Sequence, residues 1–259
     1  MSIQDTDTLA ELLSLSHELG RPERRYAILG EGNTSARASA DDADSFWVKA
    51  SGSELGTLRR DQLVRVSFAA CASMVNGPDM TDDAIKEALL AAVVEGGDGV
   101  RPSVETVLHA ALLQLPGVRF VGHTHPTEIN AIVCSDRFGE ALTRRLFPDQ
   151  IVVCGRSAVL VPYVDPGLPL AREVLAGSEA YLARYREAPK TVFMKNHGFI
   201  ALGNSAKQVL QITQMAVKSV EILRGAFAVG EPVFMSDTQV ARIAGRDDEH
   251  YRQRVLGGR

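Results

Sequence analysis

Apolar residues recur at helical spacing over 8–19, 82–94, 104–115, 127–134, 139–146, 170–186, 206–227 and 236–244, and each run predicts an amphipathic helix. Several open with Thr, Ser or Asp, whose side chains accept from the free N–H groups of a helix start. Shorter β-branched and aromatic runs at 46–49, 63–66, 118–122, 151–154, 158–161, 191–194 and 199–202 predict strands. Strands mixed with helices of this length give an α/β protein, a central sheet covered by helices. No linker, repeat or composition break divides the chain. Residues 1–259 are therefore expected to form one domain, with its core over about 8–230 and a C-terminal helix and tail over about 231–259.

Composition narrows the function classes. At 45% hydrophobic and 23% charged residues the chain is built to fold. A net charge of −4 offers no surface for nucleic acid. The acidic, polar start lacks the basic and apolar segments of a secretory signal. No apolar stretch reaches the roughly 18–20 residues that cross a bilayer. Cys71, Cys134 and Cys154 are odd in number and form no C-x-x-C pair. They read as reduced, buried thiols of a cytoplasmic protein.

The candidate chemistry centres on histidine. His123-Thr124-His125 follows the apolar run 118–122. Residues two apart on a strand share a face, so both imidazoles aim at one point. His197 sits in Asn196-His197-Gly198, a tight turn between two strand runs, and adds a third. Three neutral imidazoles with one open position make a catalytic rather than a structural zinc site. Such a metal keeps its full charge, a Lewis acid for a carbonyl or an enediolate. The plainer alternative is two strand histidines and one turn histidine bonded to backbone.

Glu105 lies in Pro102-Ser103-Val104-Glu105 at a predicted helix start. A carboxylate there complements the helix dipole; beside a metal it would serve as a general base. His109, one turn on, reads as a helix-face histidine. Gly30-Glu31-Gly32-Asn33-Thr34-Ser35 has neither the third glycine of a dinucleotide site nor the Lys-Ser/Thr of a P-loop. It suits close backbone approach to an anion, with Asn33 as a side-chain donor. A second polar turn, Lys49-Ala50-Ser51-Gly52-Ser53, follows a strand run. With Ser103, these turns would cradle a phosphate or carboxylate, unless they are two ordinary turns.

Taken in order, six short motifs resemble the class II aldolase/adducin family, the group of L-fuculose-phosphate aldolase, rhamnulose-phosphate aldolase and L-ribulose-5-phosphate 4-epimerase. They are Gly-Asn-Thr-Ser at 32–35, Lys-Ala-Ser-Gly at 49–52, Pro-Ser-Val-Glu at 102–105, His-Thr-His-Pro at 123–126, Val-Pro-Tyr-Val-Asp-Pro-Gly at 161–167 and Lys-Asn-His-Gly at 195–198. The resemblance implies a three-layer α/β/α sandwich around a mainly antiparallel sheet, assembled as a homotetramer. It implies zinc, or another divalent metal, on His123, His125 and His197, with Glu105 as the acid/base carboxylate. It implies an anion held near Asn33, Ser51, Gly52 and Ser103, and Lys49 stands where epimerase-like members have a lysine. Val104 departs from the Pro-Ser-Ser-Glu of many aldolase members, which removes one hydroxyl from the anion pocket.

The implied activity is zinc-dependent cleavage of a C–C bond in a small ketose phosphate or related hydroxy-keto compound, through a metal-stabilised enediolate. Decarboxylation of a keto acid shares that intermediate. Epimerisation by cleavage and re-addition, and the water loss of methylthioribulose-phosphate dehydratases, are variants on the same fold. A non-catalytic, adducin-like binding or scaffold role is the alternative of another class. The expected partner is a small molecule, a phosphorylated sugar or keto acid, with no nucleic acid and no membrane.

Overall fold

The computed structural model describes residues 3–39, 42–96 and 99–246; of the C-terminal helix and tail expected over about 231–259, residues 247–259 lie outside them. In chain order, helix α1 (Ile3–Leu19) leads into antiparallel strands β1 (Asn33–Ser39) and β2 (Asp42–Lys49). Strand β3 (Leu63–Ser67), helices α2 (Phe68–Asn76) and α3 (Asp82–Ala91) and strand β4 (Val93–Glu95) follow. Helix α4 (Thr106–Leu113) and strand β5 (Phe120–Thr124) precede helices α5 (Thr127–Val133), α6 (Glu140–Thr143) and α7 (Pro148–Cys154). The chain continues through β6 (Val159–Val161), α8 (Leu168–Tyr185), β7 (Thr191–Met194), β8 (Gly198–Gly203), α9 (Ala206–Val229) and α10 (Asp237–Ala244).

The strands form one sheet in the order β4-β3-β2-β1-β5-β8-β7-β6. Every pairing is antiparallel except β6 with β7. Side chains alternate between its faces, as the pleat requires. Phe46, Val48, Val64, Val66, Val121 and Ile200 pack with residues of α2, α3, α4 and α8. Trp47, Leu63, Phe120, Phe193 and Phe199 pack on the other side with α1, α5, α7 and α9. The result is the three-layer α/β/α sandwich that the motifs imply. Each fully buried Leu or Phe contributes about 1.5–3 kcal/mol to holding the layers together. No helix among the described residues is long and apolar enough to cross a membrane.

Local periodicity misleads at several points. The run 151–154 is not a strand but the end of α7. Pro148 opens that helix, and the Gln150 side chain accepts from the backbone N–H of Leu146 at 2.8 Å. Tertiary burial of Ile151 and Val152 overrides their β preference. The helix over 82–94 stops at Ala91, because Val93–Glu95 leaves to pair with β3 at the sheet edge. The helix over 139–146 shrinks to Glu140–Thr143, and the strand over 118–122 shifts to Phe120–Thr124. Helix α2 and strand β1 have no counterpart in the sequence pattern. Of the cysteines, Cys71 and Cys154 are buried, whereas Cys134, at the C-terminal end of α5, is exposed.

Candidate metal centre and active site

The site forms where β5, β8 and the loop before β1 meet the start of α4. His123 is the next-to-last residue of β5 and pairs with Asn33 on one side and Ile200 on the other. His125 follows just beyond the strand, where its backbone N–H donates to Tyr26 O at 2.8 Å. His197 enters from the β7–β8 turn. Asn196 takes the left-handed conformation there, φ 53°, which Asn tolerates better than most residues. Asn130 on α5 pins the turn by donating from Nδ2 to His197 O at 3.1 Å. Gly198 is required by crowding: a Cβ there would lie 2.6 Å from His125 Cδ2 and 2.7 Å from Thr124 O. Gly32 combines a φ of +70° with a virtual Cβ 2.6 Å from His123 O.

These constraints bring the three imidazoles edge to face, with ring centroids 4.8, 5.0 and 5.3 Å apart. One ligand nitrogen from each lies within 4.8 Å of the others. Nε2 of His123 and Nε2 of His125 are 3.1 Å apart; ligand nitrogens of a tetrahedral zinc site stand roughly 3.3 Å apart, given bonds of about 2.0–2.1 Å. Nδ1 of His123 lies 3.1 Å from Phe199 O, which fixes that ring and leaves its Nε2 facing the cluster. The donor set therefore suits a divalent metal.

Glu105 stands at the N-cap position of α4, yet its side chain caps nothing. The carboxylate turns toward the histidines instead. Oε1 is 3.2 Å from His197 Nε2 and Oε2 is 3.6 Å from His123 Nε2. Asn33 Nδ2 donates to Oε2 at 2.5 Å. Burial would raise this carboxyl, but His123 and the hydrogen bond and charge of His197 outweigh it and hold the group well below the usual carboxylate range. At neutral pH Glu105 is thus an ionised acceptor at the convergence point of three imidazoles.

Strand β1 carries the rest of the support. Asn33, Ser35 and Arg37, two apart on one face, meet α4 at steps of four. Asn33 bonds Glu105, Ser35 Oγ lies 2.7 Å from His109 Nδ1, and Arg37 Nε donates to Leu113 O at 2.9 Å. Two residues of strand rise about 6.6 Å and four of helix about 6 Å, so the ladder stays in step. His109 is thus a fully buried support under Glu105. Burial drives its pKa down to about 4, against the pull of Glu105. Burial likewise takes His123 and His125 to about 4.

Lys49, read as an anion contact, is 1% exposed. Its Nζ donates to Ser53 O at 2.6 Å and Gly30 O at 3.3 Å, so it ties the two glycine-bearing turns together. Burial brings its pKa to about 8, with Glu105 opposing the shift. Ser51 and Gly52 are exposed on the second turn. An isolated bridge, Ala50 to Pro102, and the Ser51 N–H bond to Arg101 O at 2.9 Å set this turn beside Ser103. Ser103 Oγ accepts from the Glu105 N–H at 3.3 Å. Two residues of this neighbourhood carry no signal in the histidine spacing: Asn130, and Glu31, whose Oε1 is 3.8 Å from His125 Nδ1.

A pH dependence of stability follows. Unfolded imidazoles take up protons below about pH 6.5, whereas those of His109, His123 and His125 resist until near pH 4. The unfolded state then binds more protons, so the metal-free chain loses stability as pH falls from 6.5 toward 4. The fully buried pair, His109 and His123, puts several kcal/mol at stake at roughly 1.4 kcal/mol per pKa unit, a large part of a typical total of about 5–15 kcal/mol. Urea midpoints measured in chelator are expected to fall steeply between pH 6.5 and 4.5; a flat profile would mean that these rings charge freely.

The family model described as Class II Aldolase and Adducin N-terminal domain matches residues 10–223. The protein named uncharacterized oxidoreductase YuxG of Bacillus subtilis is 28% identical over 216 residues, covering 82% of this chain and 29% of that protein. A methylthioribulose-1-phosphate dehydratase of Leptospira biflexa is 29% identical over 126 residues, 48% of this chain and 49% of its own. The chain thus spans half or less of the length of these curated relatives. Among solved structures, the L-fuculose 1-phosphate aldolase of Glaciozyma antarctica superposes with a TM-score of 0.67 at 17% identity, over 96% of this chain and 86% of that one. With its family model matched over most of its length, and with the fold to go with it, the chain belongs to the class II aldolase and adducin family.

Proposed function

We propose that the chain is a metal-dependent lyase that cleaves a C–C bond of a small ketose phosphate or related hydroxy-keto compound. The observation that carries this is the ionised Glu105 carboxylate, 3.2 and 3.6 Å from nitrogens of two of three converging imidazoles. His123, His125 and His197 would hold the metal, with zinc favoured by an all-imidazole set. Bound there, it would supply Lewis-acid stabilisation of the enediolate left when the C–C bond breaks. Glu105 moves the proton: ionised at rest, it takes up the proton released as the substrate hydroxyl becomes an aldehyde on C–C cleavage and delivers it to the enediolate carbon to release a ketone; in the reverse direction it removes the carbon proton and returns it to the new hydroxyl. Asn33 orients the carboxylate. Ser51, Gly52 and Ser103 would receive the anionic end of the substrate, with Lys49 holding the two turns and lending charge beneath them.

We further propose that residues 1–259 act as one domain, assembled as a homotetramer in the cytoplasm. Ile28 and Leu29, 62% and 74% exposed in the loop before β1, are apolar surface beside the site that a second copy would cover. Water loss from a ketose phosphate is the second reading, favoured by the dehydratase relative. The test is product analysis. Zinc-loaded protein is incubated with a panel of ketose 1-phosphates and keto acids and followed by NMR. Paired aldehyde and ketone products are expected. An intact carbon chain lacking one water would replace the lyase with a dehydratase, carbon dioxide from keto acids would make it a decarboxylase, and no turnover with no bound metal would leave a binding role.

A further inference from the structure

Glu31 has no part in the chemistry above, yet its carboxylate faces the metal centre. It lies between Gly30 and Gly32 in the loop before β1. Its backbone N–H donates to Ile28 O at 3.0 Å, and Ile28 N–H donates back to Oε2 at 3.0 Å. One carboxylate oxygen is thereby held by the loop's own backbone. The other, Oε1, is left 3.8 Å from Nδ1 of His125.

Nδ1 is the ring nitrogen turned away from the convergence point, because Nε2 of the same ring is the atom 3.1 Å from His123 Nε2. A neutral imidazole has a single N–H, and the acceptor beside one nitrogen decides which nitrogen keeps a free lone pair. For His123 that acceptor is the carbonyl of Phe199. For His125 the carboxylate facing Nδ1 is that of Glu31, 3.8 Å away.

We propose that Glu31 is a positioning residue for the metal centre: its carboxylate, 3.8 Å from His125 Nδ1 and so about 1 Å beyond hydrogen-bond distance, closes onto the Nδ1–H when metal is bound and holds Nε2 unprotonated toward the metal. The inference rests on the metal-dependent reading given above. A carboxylate behind a ligating imidazole fixes both its tautomer and its orientation and makes the ring a better donor. The two strand-end ligands then differ in kind, His123 backed by a neutral carbonyl and His125 by an anion. The device also links the metal to the loop that leads into Asn33, and through Asn33 to Glu105.

The test is zinc affinity, measured by competition with a chromophoric chelator at pH 7, for wild type, Glu31→Gln and Glu31→Ala. The tautomer of His125 in the zinc-loaded proteins is read from long-range ¹H–¹⁵N NMR. Loss of such an outer carboxylate weakens metal binding about 10–100-fold. Glu31→Ala is expected to bind zinc at least about 10-fold more weakly, with Glu31→Gln between it and wild type, since the amide oxygen still accepts. The His125 Nδ1–H signal of wild type is expected to broaden into exchange with solvent in Glu31→Ala. Glu31 is partly exposed, so both variants should fold, and matched urea midpoints of the metal-free proteins confirm it. Zinc affinity within twofold of wild type, or an unchanged Nδ1–H signal, would overturn the inference while leaving the metal reading intact. A wild type that binds no zinc would overturn both.

Discussion

Wild type is expected to purify with about one zinc per chain, and His123→Ala with little or none. Of the three proposed ligands His123 has the least freedom: its side chain is 0% exposed, its strand is paired on both sides and its outer nitrogen lies against Phe199 O. Zinc held by four ligands at about 10–16 kcal/mol gives roughly 2.5–4 kcal/mol per ligand, a loss on the order of 100- to 1,000-fold for one imidazole. Metal content after dialysis, by elemental analysis, is the measurement. The same substitution removes one of the rings that resists protonation. In chelator, the urea midpoint of His123→Ala is therefore expected to fall less between pH 6.5 and 4.5 than that of wild type. Zinc retained at one per chain would place the metal elsewhere; zinc lost with an unchanged pH profile would keep the ligand but reject the buried neutral ring.

The histidines were legible because their signal is local. Two imidazoles at a strand end need only period 2, and His197 announces itself by lying between strand runs with a flexible Asn before it and a glycine after it. Glu105 was half legible. The helix start was visible, but only the fold shows that the carboxylate abandons the helix N–H groups for Asn33 and the histidines. Strand β1 was invisible for a physical reason. Its residues Asn33, Ser35 and Arg37 are polar on the face toward α4, where side-chain and backbone groups of that helix satisfy them, and Thr34 lies 2.6 Å from Ser16 Oγ of α1 on the other. A central strand whose polar groups are paired off by neighbouring helices carries no alternation of oily and wet. The reverse holds for 151–154, where β-branched residues serve a helix because its other side packs into the core. Lys49 and Glu31 depend on contacts between loops, and no spacing in the chain encodes those.

Glu105→Gln is expected to keep its zinc and lose on the order of 10²–10⁴-fold in proton transfer at carbon, the share that a positioned base contributes. Glutamine preserves the shape and can still accept from Asn33 Nδ2, so the β1–α4 ladder and the three histidines should stay in place. What it removes is the charge, and with it the ability to take a proton. The measurement isolates that step: dihydroxyacetone phosphate is incubated with zinc-loaded protein in D2O, without an aldehyde, and hydrogen exchange at its hydroxymethyl carbon is followed by NMR. Wild type should exchange that hydrogen because Glu105 arrives ionised, held well below the usual carboxylate range by His123 and His197 against the opposing effect of burial. Zinc content separates the two roles open to a carboxylate this close to the imidazoles. Exchange lost with zinc retained identifies a base. Exchange and zinc lost together would make Glu105 a fourth ligand, and the proton would then have to be moved by another group. Exchange undiminished in the variant would remove Glu105 from the chemistry and return it to the support of α4.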